Sequence, residues 1–201
     1  MIRAMACGIL AALPCMILPA APSSASETSA TEVVEALHEQ MMEVMKEAGH
    51  SSFAERFVAL ETPIDRAFDL EFMAFHSLGP RYRELSESQR AIWIESFRRF
   101  TVASHARRLT DYEGQRFETV SEVPASRGGA IVRTRLVRLD GVAVPLGYRM
   151  RRTQEGWKII DVYLIGVISE LAVRRDEFSS FYKKEGFDAL IASVNQRSTD
   201  E

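Results

Sequence analysis

Residues 130–152 read AIVRTRLVRLDGVAVPLGYRMRR, and this stretch decides the fold. Apolar and polar residues alternate over 130–138 and again over 144–152, which is the period of a β-strand. Asp140 and Gly141 lie between the two runs and predict a tight hairpin turn. The sequence therefore predicts an antiparallel pair of strands with one apolar face.

Two further runs extend this pair. Residues 115–123 alternate before it, and residues 157–165 follow a turn at Gln154-Glu155-Gly156. Short loops join all four runs, so the sequence predicts a four-stranded antiparallel meander.

The segments on either side of the strands have helical period. Apolar spacing predicts helices over 32–48 and 53–60, with a restart at Thr62. It also predicts a short helix capped by Asp69 and a long helix that begins at the capping box Ser86–Gln89. A final helical region is expected after Gly166, with a break at Gly186. Helices, four strands, then helices indicate an α+β fold. The N-terminal and C-terminal helices are expected to pack on the sheet and to enclose an apolar pocket.

The N-terminus has the pattern of a secretory signal. Arg3 is the only charged residue before Glu27, residues 4–21 form an apolar run, and small residues follow at 23–25. A basic start, an apolar middle and a small-residue exit predict a signal peptide over 1–25. An uncleaved N-terminal anchor is the alternative.

This reading divides the chain into a signal peptide over 1–25, a disordered leader over 26–31 and one α+β domain over 32–201. Both cysteines, Cys7 and Cys15, fall in the signal. The mature domain is then expected to have no disulfide, thiol nucleophile or thiolate metal site.

Composition argues against several classes of protein. The chain has 25 Lys+Arg, 28 Asp+Glu and a formal net charge of −3, which does not suit a general nucleic-acid binder. The four histidines, His38, His50, His76 and His105, show no metal-ligand spacing. No nucleophile elbow, phosphate loop or dinucleotide fingerprint is present, so no metal or cofactor is expected.

One residue supports an enzymatic alternative. Asp161 lies in a predicted strand near Tyr148 and Tyr163, and an Asp beside tyrosines in a cup-shaped α+β fold can act as a general base. The simpler interpretation is that Asp161 binds neighbouring backbone groups or pairs with an arginine.

Strand alternation predicts a basic face opposite the apolar one. Arg133, Arg135, Arg149 and Arg151 fall together on that face. This face is either a solvated surface or a docking surface for an acidic partner or an anionic membrane.

The apolar face and the helices supply candidate lining residues. Strand 144–152 turns Leu146, Tyr148 and Met150 to one side, whereas strand 157–165 is ambiguous because both of its faces carry apolar residues. The helices add Phe72, Phe75, Phe97 and Phe100. Periodicity alone leaves open whether these side chains fill a core or line a cavity.

Several motifs together resemble a known family. Leu78-Gly79-Pro80-Arg81-Tyr82, Ser86 through Gln89-Arg90, Phe97-Arg98-Arg99-Phe100 and Trp157-Lys158-x-x-Asp161-Val162 occur in an order and spacing similar to those of the MlaC or toluene-tolerance family. The resemblance runs over about residues 31–194. Residues 97–104 and 114–117 look most similar to the hopanoid-associated branch, HpnM. Relatives usually carry a small or acidic residue where this chain has Ile165.

The resemblance implies a monomeric, non-enzymatic periplasmic carrier without a cofactor. Such a carrier binds the acyl chains of a phospholipid, or a hopanoid, and exchanges lipid with two partners. These are the substrate-binding component of an inner-membrane ABC transporter and an outer-membrane lipoprotein complex, which together maintain outer-membrane lipid asymmetry. The implied lipid-lining residues are Phe72, Phe75, Phe97, Phe100, Leu146, Tyr148, Met150, Ile160, Val162, Leu164, Val167 and Ile168.

Overall fold

A computed structural model describes residues 28–199 of the chain. The predicted signal peptide over 1–25 lies outside the described residues and stays a prediction.

Residues 28–199 form six α-helices, at positions close to those that the sequence predicts. They are α1 (Ala30–Glu47), α2 (Phe53–Ala67), α3 (Leu70–Leu78), α4 (Glu87–Arg108), α5 (Glu170–Glu185) and α6 (Phe187–Gln196), with 3-10 turns at Ala48–His50, Gly79–Glu84 and Ser126–Gly128. Ser86 and Gln89 form the predicted capping box of α4. Asp69 caps α3 through a 3.0 Å bond from the Phe72 N–H, and Gly186 separates α5 from α6.

Two helix predictions are wrong in detail. α1 begins at Ala30, and Ser29 is its N-cap, so residues 30 and 31 belong to the helix and not to a disordered leader. α2 continues through Pro63 without a restart at Thr62. Proline removes one backbone donor, but Leu60 and Ile64 are both fully buried on the same face of α2, and this packing outweighs the missing bond.

The sheet is antiparallel with the strand order β1-β2-β3-β4-β5. Its members are β1 (Arg116–Ala125), β2 (Gly129–Val137), β3 (Ala143–Thr153), β4 (Gly156–Leu164) and β5 (Ile168–Ser169). The first four strands confirm the predicted meander. The fifth strand, which pairs Tyr163 with Ser169, is an addition to the four that the sequence predicts.

The fifth strand exists because the chain reverses tightly after β4. Ile165 and Gly166 have φ of 50° and 73°, and the Val167 N–H donates to the Leu164 carbonyl at 3.1 Å. Leu164 pairs with Ile168, so three residues form this hairpin loop, and the first two have positive φ, as tight hairpin turns often require. The prediction that the last helix starts directly after Gly166 is therefore wrong, and α5 starts at Glu170.

A β-bulge resolves the ambiguous strand. Arg149 pairs with Asp161 and Met150 with Ile159, which leaves Ile160 without a partner on β3. The extra residue reverses the alternation within β4. Ile159 therefore shares the inner face with Met150, and Val162 shares it with Tyr148.

The inner face of the sheet packs on the helices. Val132, Tyr148 and Met150 are buried there against a core that includes Trp93 and Phe97 of α4. This α+β arrangement confirms the predicted fold class. Among the helices of residues 28–199, none combines the length and the apolar character that a membrane span requires.

Candidate functional site

A cavity of about 370 Å³ lies between α1, the end of α4 and the inner face of the sheet. We call it the large cavity. Its apolar wall is formed by Met41, Met45, Leu109, Phe117, Leu136, Leu146, Tyr148, Val162 and Leu164. Its polar lining residues are His105, Arg108, Thr110, Asp111, Gln115 and Glu170. The polar residues thus come from the last turn of α4, the loop leading to β1 and the start of α5, whereas most of the apolar wall comes from α1 and the sheet.

A second cavity of about 30 Å³, the small cavity, lies beside the large one. Phe68, Met73, Phe97, Phe100 and Leu171 supply its apolar wall. Four residues line both cavities: His105, Arg108, Val162 and Glu170. The small cavity has about the volume of one water molecule, so the apolar side chains around it are nearly close-packed.

One ion pair of the described residues has both of its partners in the lining of both cavities. The Arg108 guanidinium donates to the carboxylate of Glu170, which is the first residue of α5. Burial raises the pKa of Glu170, but the hydrogen bond and charge of Arg108 outweigh burial, and the net pKa lies below its usual value. Glu170 is therefore ionised at neutral pH.

His105 borders this pair as a neutral side chain. Burial lowers its pKa, although a bond to the Thr101 carbonyl opposes the shift. Its Nδ1 lies 2.8 Å from that carbonyl oxygen, so Nδ1 carries the proton and donates it.

A second neutral histidine supports the apolar wall of the large cavity. His38 of α1 stacks on Phe117 with ring centroids 3.9 Å apart, and its Nε2 lies 2.9 Å from the Tyr148 hydroxyl. Burial lowers the pKa of His38 to about 4 and raises the pKa of Tyr148. Both side chains are uncharged at neutral pH, and α1 is fixed to the sheet without placing a charge beside the cavity.

Asp161 has a structural role in this fold. The Ser169 hydroxyl donates to its Oδ2 at 2.6 Å, and the Leu171 N–H donates to its Oδ1 at 3.0 Å. Burial raises the pKa of Asp161, and these two bonds oppose the shift. Its carboxylate lines neither cavity and instead ties the N-terminus of α5 to β4. The contacts fit the simpler interpretation of Asp161 as a partner of backbone groups.

The structure divides the twelve lipid-lining residues that the family resemblance implies. Phe97 and Phe100 line the small cavity; Leu146, Tyr148 and Leu164 line the large one; Val162 lines both. The other six line neither cavity: Phe72, Phe75, Met150, Ile160, Val167 and Ile168.

The reasons differ among these six residues. Phe72 and Phe75 pack on His76 at centroid distances of 3.9 and 4.8 Å. Ile160 is the extra residue of the bulge, and Met150 is buried in the core at 1% exposure. Val167 and Ile168, which follow the tight turn, are exposed.

Periodicity could not find the charged residues that line the large cavity. Arg108 and Glu170 are 62 positions apart, and each falls where a helix end ordinarily carries a charge of that sign. Nothing in the local sequence distinguishes them from routine helix-end charges.

The four predicted docking arginines have different surroundings. Arg151 pairs with Asp69 at 2.5 Å and lies over the Phe72 ring at 4.5 Å. Arg149 is half-buried, donates to the Ser126 hydroxyl at 3.2 Å and pairs across the strands with Asp161. These two are therefore committed to contacts within the fold.

Arg133 and Arg135 are exposed on the outer face of the sheet. Arg135 pairs with Glu118 at 2.6 Å, and no ion pair of Arg133 is found among residues 28–199. Both arginines line a groove of about 560 Å³, which we call the outer groove, together with the exposed apolar residues Val120 and Val167.

The described part of the chain contains no group of three or more His, Asp or Glu side chains placed to hold a metal ion.

Comparison with known proteins connects this geometry to a family. The family model described as MlaC protein matches residues 35–196. The chain belongs to the MlaC family. This confirms the family that the sequence motifs indicate, and the hopanoid-associated branch stays a prediction.

Two relatives extend the comparison. The chain is similar to the intermembrane phospholipid transport system binding protein MlaC of Haemophilus influenzae, with 27% identity over 135 residues. This match covers 65% of the chain and 63% of that relative, which is less than two thirds of its length.

The fold is similar to that of a phospholipid-binding protein from Ralstonia solanacearum, solved in complex with a phospholipid. That match has a TM-score of 0.74 and 16% identity, and covers 85% of this chain and 97% of the other. At this identity the likeness concerns the fold.

Proposed function

We propose that this protein is a non-enzymatic periplasmic lipid carrier that holds acyl chains in the large cavity. It is exported by the signal over 1–25 and acts as the soluble component of an Mla-type ABC transport system between inner and outer membranes. The observation that carries the proposal is a cavity with a largely apolar wall and a few polar lining residues in a member of the MlaC family.

The cavity matches the chemistry of an amphipathic lipid. Acyl chains gain roughly 0.8 kcal/mol for each methylene removed from water, so an apolar wall alone supplies the driving force. Two chains of about fifteen carbons would gain roughly 20 kcal/mol or more relative to water. A membrane offers a similar gain, so a carrier needs only to match the bilayer, and no nucleophile or metal is required.

A phospholipid is the favoured cargo, and a hopanoid is the second candidate. The relative from Haemophilus influenzae is named for phospholipid transport, which supports the first. The hopanoid rests on the sequence resemblance alone.

The outer groove is the proposed docking surface for a membrane-bound partner. Arg133 is exposed there without an ion pair among the described residues, and Val120 and Val167 add exposed apolar surface at 58% and 78%. A surface with free positive charge and apolar contacts suits an acidic partner. The inner-membrane transporter component and the outer-membrane lipoprotein complex are the proposed partners.

Lipid uptake from vesicles tests the proposal. Lipid-free protein is incubated with vesicles of phospholipid, and separately with vesicles containing hopanoid, and protein-bound lipid is then measured after the vesicles are removed. Leu136→Trp places a larger side chain in the large cavity and should abolish uptake, whereas Val173→Trp, at a half-exposed position of α5, should not. Equal uptake by both variants, or none by the unmodified protein, would contradict the assignment.

A further inference from the structure

We propose that the Arg108–Glu170 ion pair is a movable partition in the lipid cavity and sets how long an acyl chain the protein accepts. The proposal rests on the proposed function, because it assigns a specificity role within the same cavity. No other described ion pair has both of its partners in the lining of both cavities.

The position of the pair suggests its role. Leu164 lines the large cavity only, Phe97 and Phe100 line the small cavity only, and the pair lines both. Apolar side chains thus lie on both sides of a charged contact. A chain that stops at the pair fills the large cavity only, and a longer chain must displace the pair.

Stability alone gives little reason for charges at this place. Replacing a partly buried ion pair with apolar residues of similar volume is often neutral or stabilising. An ion pair between the two cavities closes the space between them and can open when Arg108, which is 46% exposed, turns into water.

Glu170 is the fixed member of the pair. It is the first residue of α5, and the preceding Ser169 binds Asp161 of β4 through its hydroxyl. A carboxylate is favoured at the N-terminus of a helix by the helix dipole. The Glu170 side chain is 18% exposed, so it has less access to water than Arg108 has.

Arg108 is the mobile member. It is the last residue of α4, and its side chain is 46% exposed. The guanidinium can therefore rotate into water without being buried unpaired. Glu170 then keeps the charge of Arg174, which also lines the small cavity and lowers the pKa of Glu170.

The small cavity has neighbours that can rearrange around a chain. Met73 lines it, and its thioether side chain adapts readily to different shapes. Arg174 lies over the Phe100 ring at 4.8 Å and reaches toward solvent from a half-buried position. Once the pair opens, these side chains can give the chain end an apolar site.

Chain-length dependence is the property that tests this role. Each methylene that enters an apolar site should tighten binding roughly fourfold, which is the fold-change corresponding to about 0.8 kcal/mol. In the unmodified protein the longer chains must also displace Arg108 from Glu170. Removing that requirement should favour long chains over short ones.

The experiment compares dissociation constants of lysophosphatidylcholines with lauroyl, myristoyl, palmitoyl and stearoyl chains, below their micelle-forming concentrations. Glu170→Gln removes the charge while keeping the shape of the side chain. Asp65→Asn is the matched control, because Asp65 pairs with Arg98 of the same helix α4 at 2.6 Å and lines neither cavity. Arg108→Met removes the other half of the pair and replaces Glu170→Gln if that variant does not fold.

In the Glu170 or Arg108 variant, the ratio of the lauroyl to the stearoyl dissociation constant should rise roughly tenfold, as expected for loss of a partly buried pair. In Asp65→Asn this ratio should stay unchanged. An unchanged ratio, or an equal loss of affinity at every chain length, overturns the partition while leaving the carrier function intact. Failure of the unmodified protein to bind any of these lipids overturns the proposed function itself.

Discussion

Shortening a wall residue of the large cavity should cost far less stability than shortening a core residue of the same type. Leu164 is half-buried on β4 and faces the large cavity, whereas Leu60 of α2 is fully buried in the core and lines neither cavity. Leu164→Ala and Leu60→Ala remove the same atoms from these two environments.

The expected magnitudes follow from burial. Leu60→Ala loses the full transfer free energy of the side chain and leaves a new void, for a cost of roughly 3–4 kcal/mol in the free energy of unfolding. Leu164→Ala loses about half of that transfer term, near 1 kcal/mol, and only enlarges an existing cavity. The acyl chain loses apolar contact equivalent to about one or two methylenes, so lipid should bind roughly tenfold more weakly.

Urea unfolding of the lipid-free protein measures the free energy of unfolding. Lipid retained after incubation with an excess of empty vesicles measures how tightly lipid is bound. Leu60→Ala should lose stability while retaining lipid in its folded fraction. A cost for Leu164→Ala equal to that of Leu60→Ala, with unchanged lipid retention, would show that Leu164 packs in a filled core.

Three further predictions follow from particular residues. The pKa of His38 is about 4 in the folded protein and about 6.5 in the unfolded chain, so the unfolded state binds more protons between these pH values. The free energy of unfolding should therefore fall by up to about 3 kcal/mol as the pH drops from 6.5 to 4. Unfolding measured as a function of pH should show a smaller loss in His38→Gln and an unchanged loss in the control His50→Gln, at an exposed position. Ile165 is a β-branched residue at φ 50°. Ile165→Gly should raise the free energy of unfolding by about 1 kcal/mol because it relieves backbone strain. Thermal melting measures this gain, and an unchanged melting temperature would count against the strain. Arg133→Glu should slow lipid transfer to a partner or an anionic vesicle at low salt, while the protein keeps its bound lipid. The control Arg83→Glu, on an exposed helical turn, should leave the transfer rate unchanged. Equal transfer rates for the two variants would mean that the outer groove is only a solvated surface.

Local sequence signals predicted most of the fold. The capping box at Ser86, the Asp140-Gly141 turn and the alternation of 130–138 and 144–152 each depend on residues close together in the chain. Such signals specify where elements begin, which faces are apolar and how consecutive strands pair.

The failures arise where distant contacts decide the structure. The bulge at Ile160 changes which side of β4 faces inward, and periodicity cannot detect one extra residue in a strand that is apolar on both faces. Thr62 and Pro63 predict a restart of the helix, but the burial of Leu60 and Ile64 keeps α2 continuous. The Arg108–Glu170 pair depends on how two helix ends meet in space.

The most direct test of the central claim is native mass spectrometry of the protein purified from a periplasmic extract. The account predicts a population with the added mass of a single phospholipid or hopanoid, which tandem fragmentation would identify, and its loss in Leu136→Trp. A protein that carries no lipid in the extract, and none after incubation with phospholipid or hopanoid vesicles, would contradict the claim that the large cavity is a lipid-binding site.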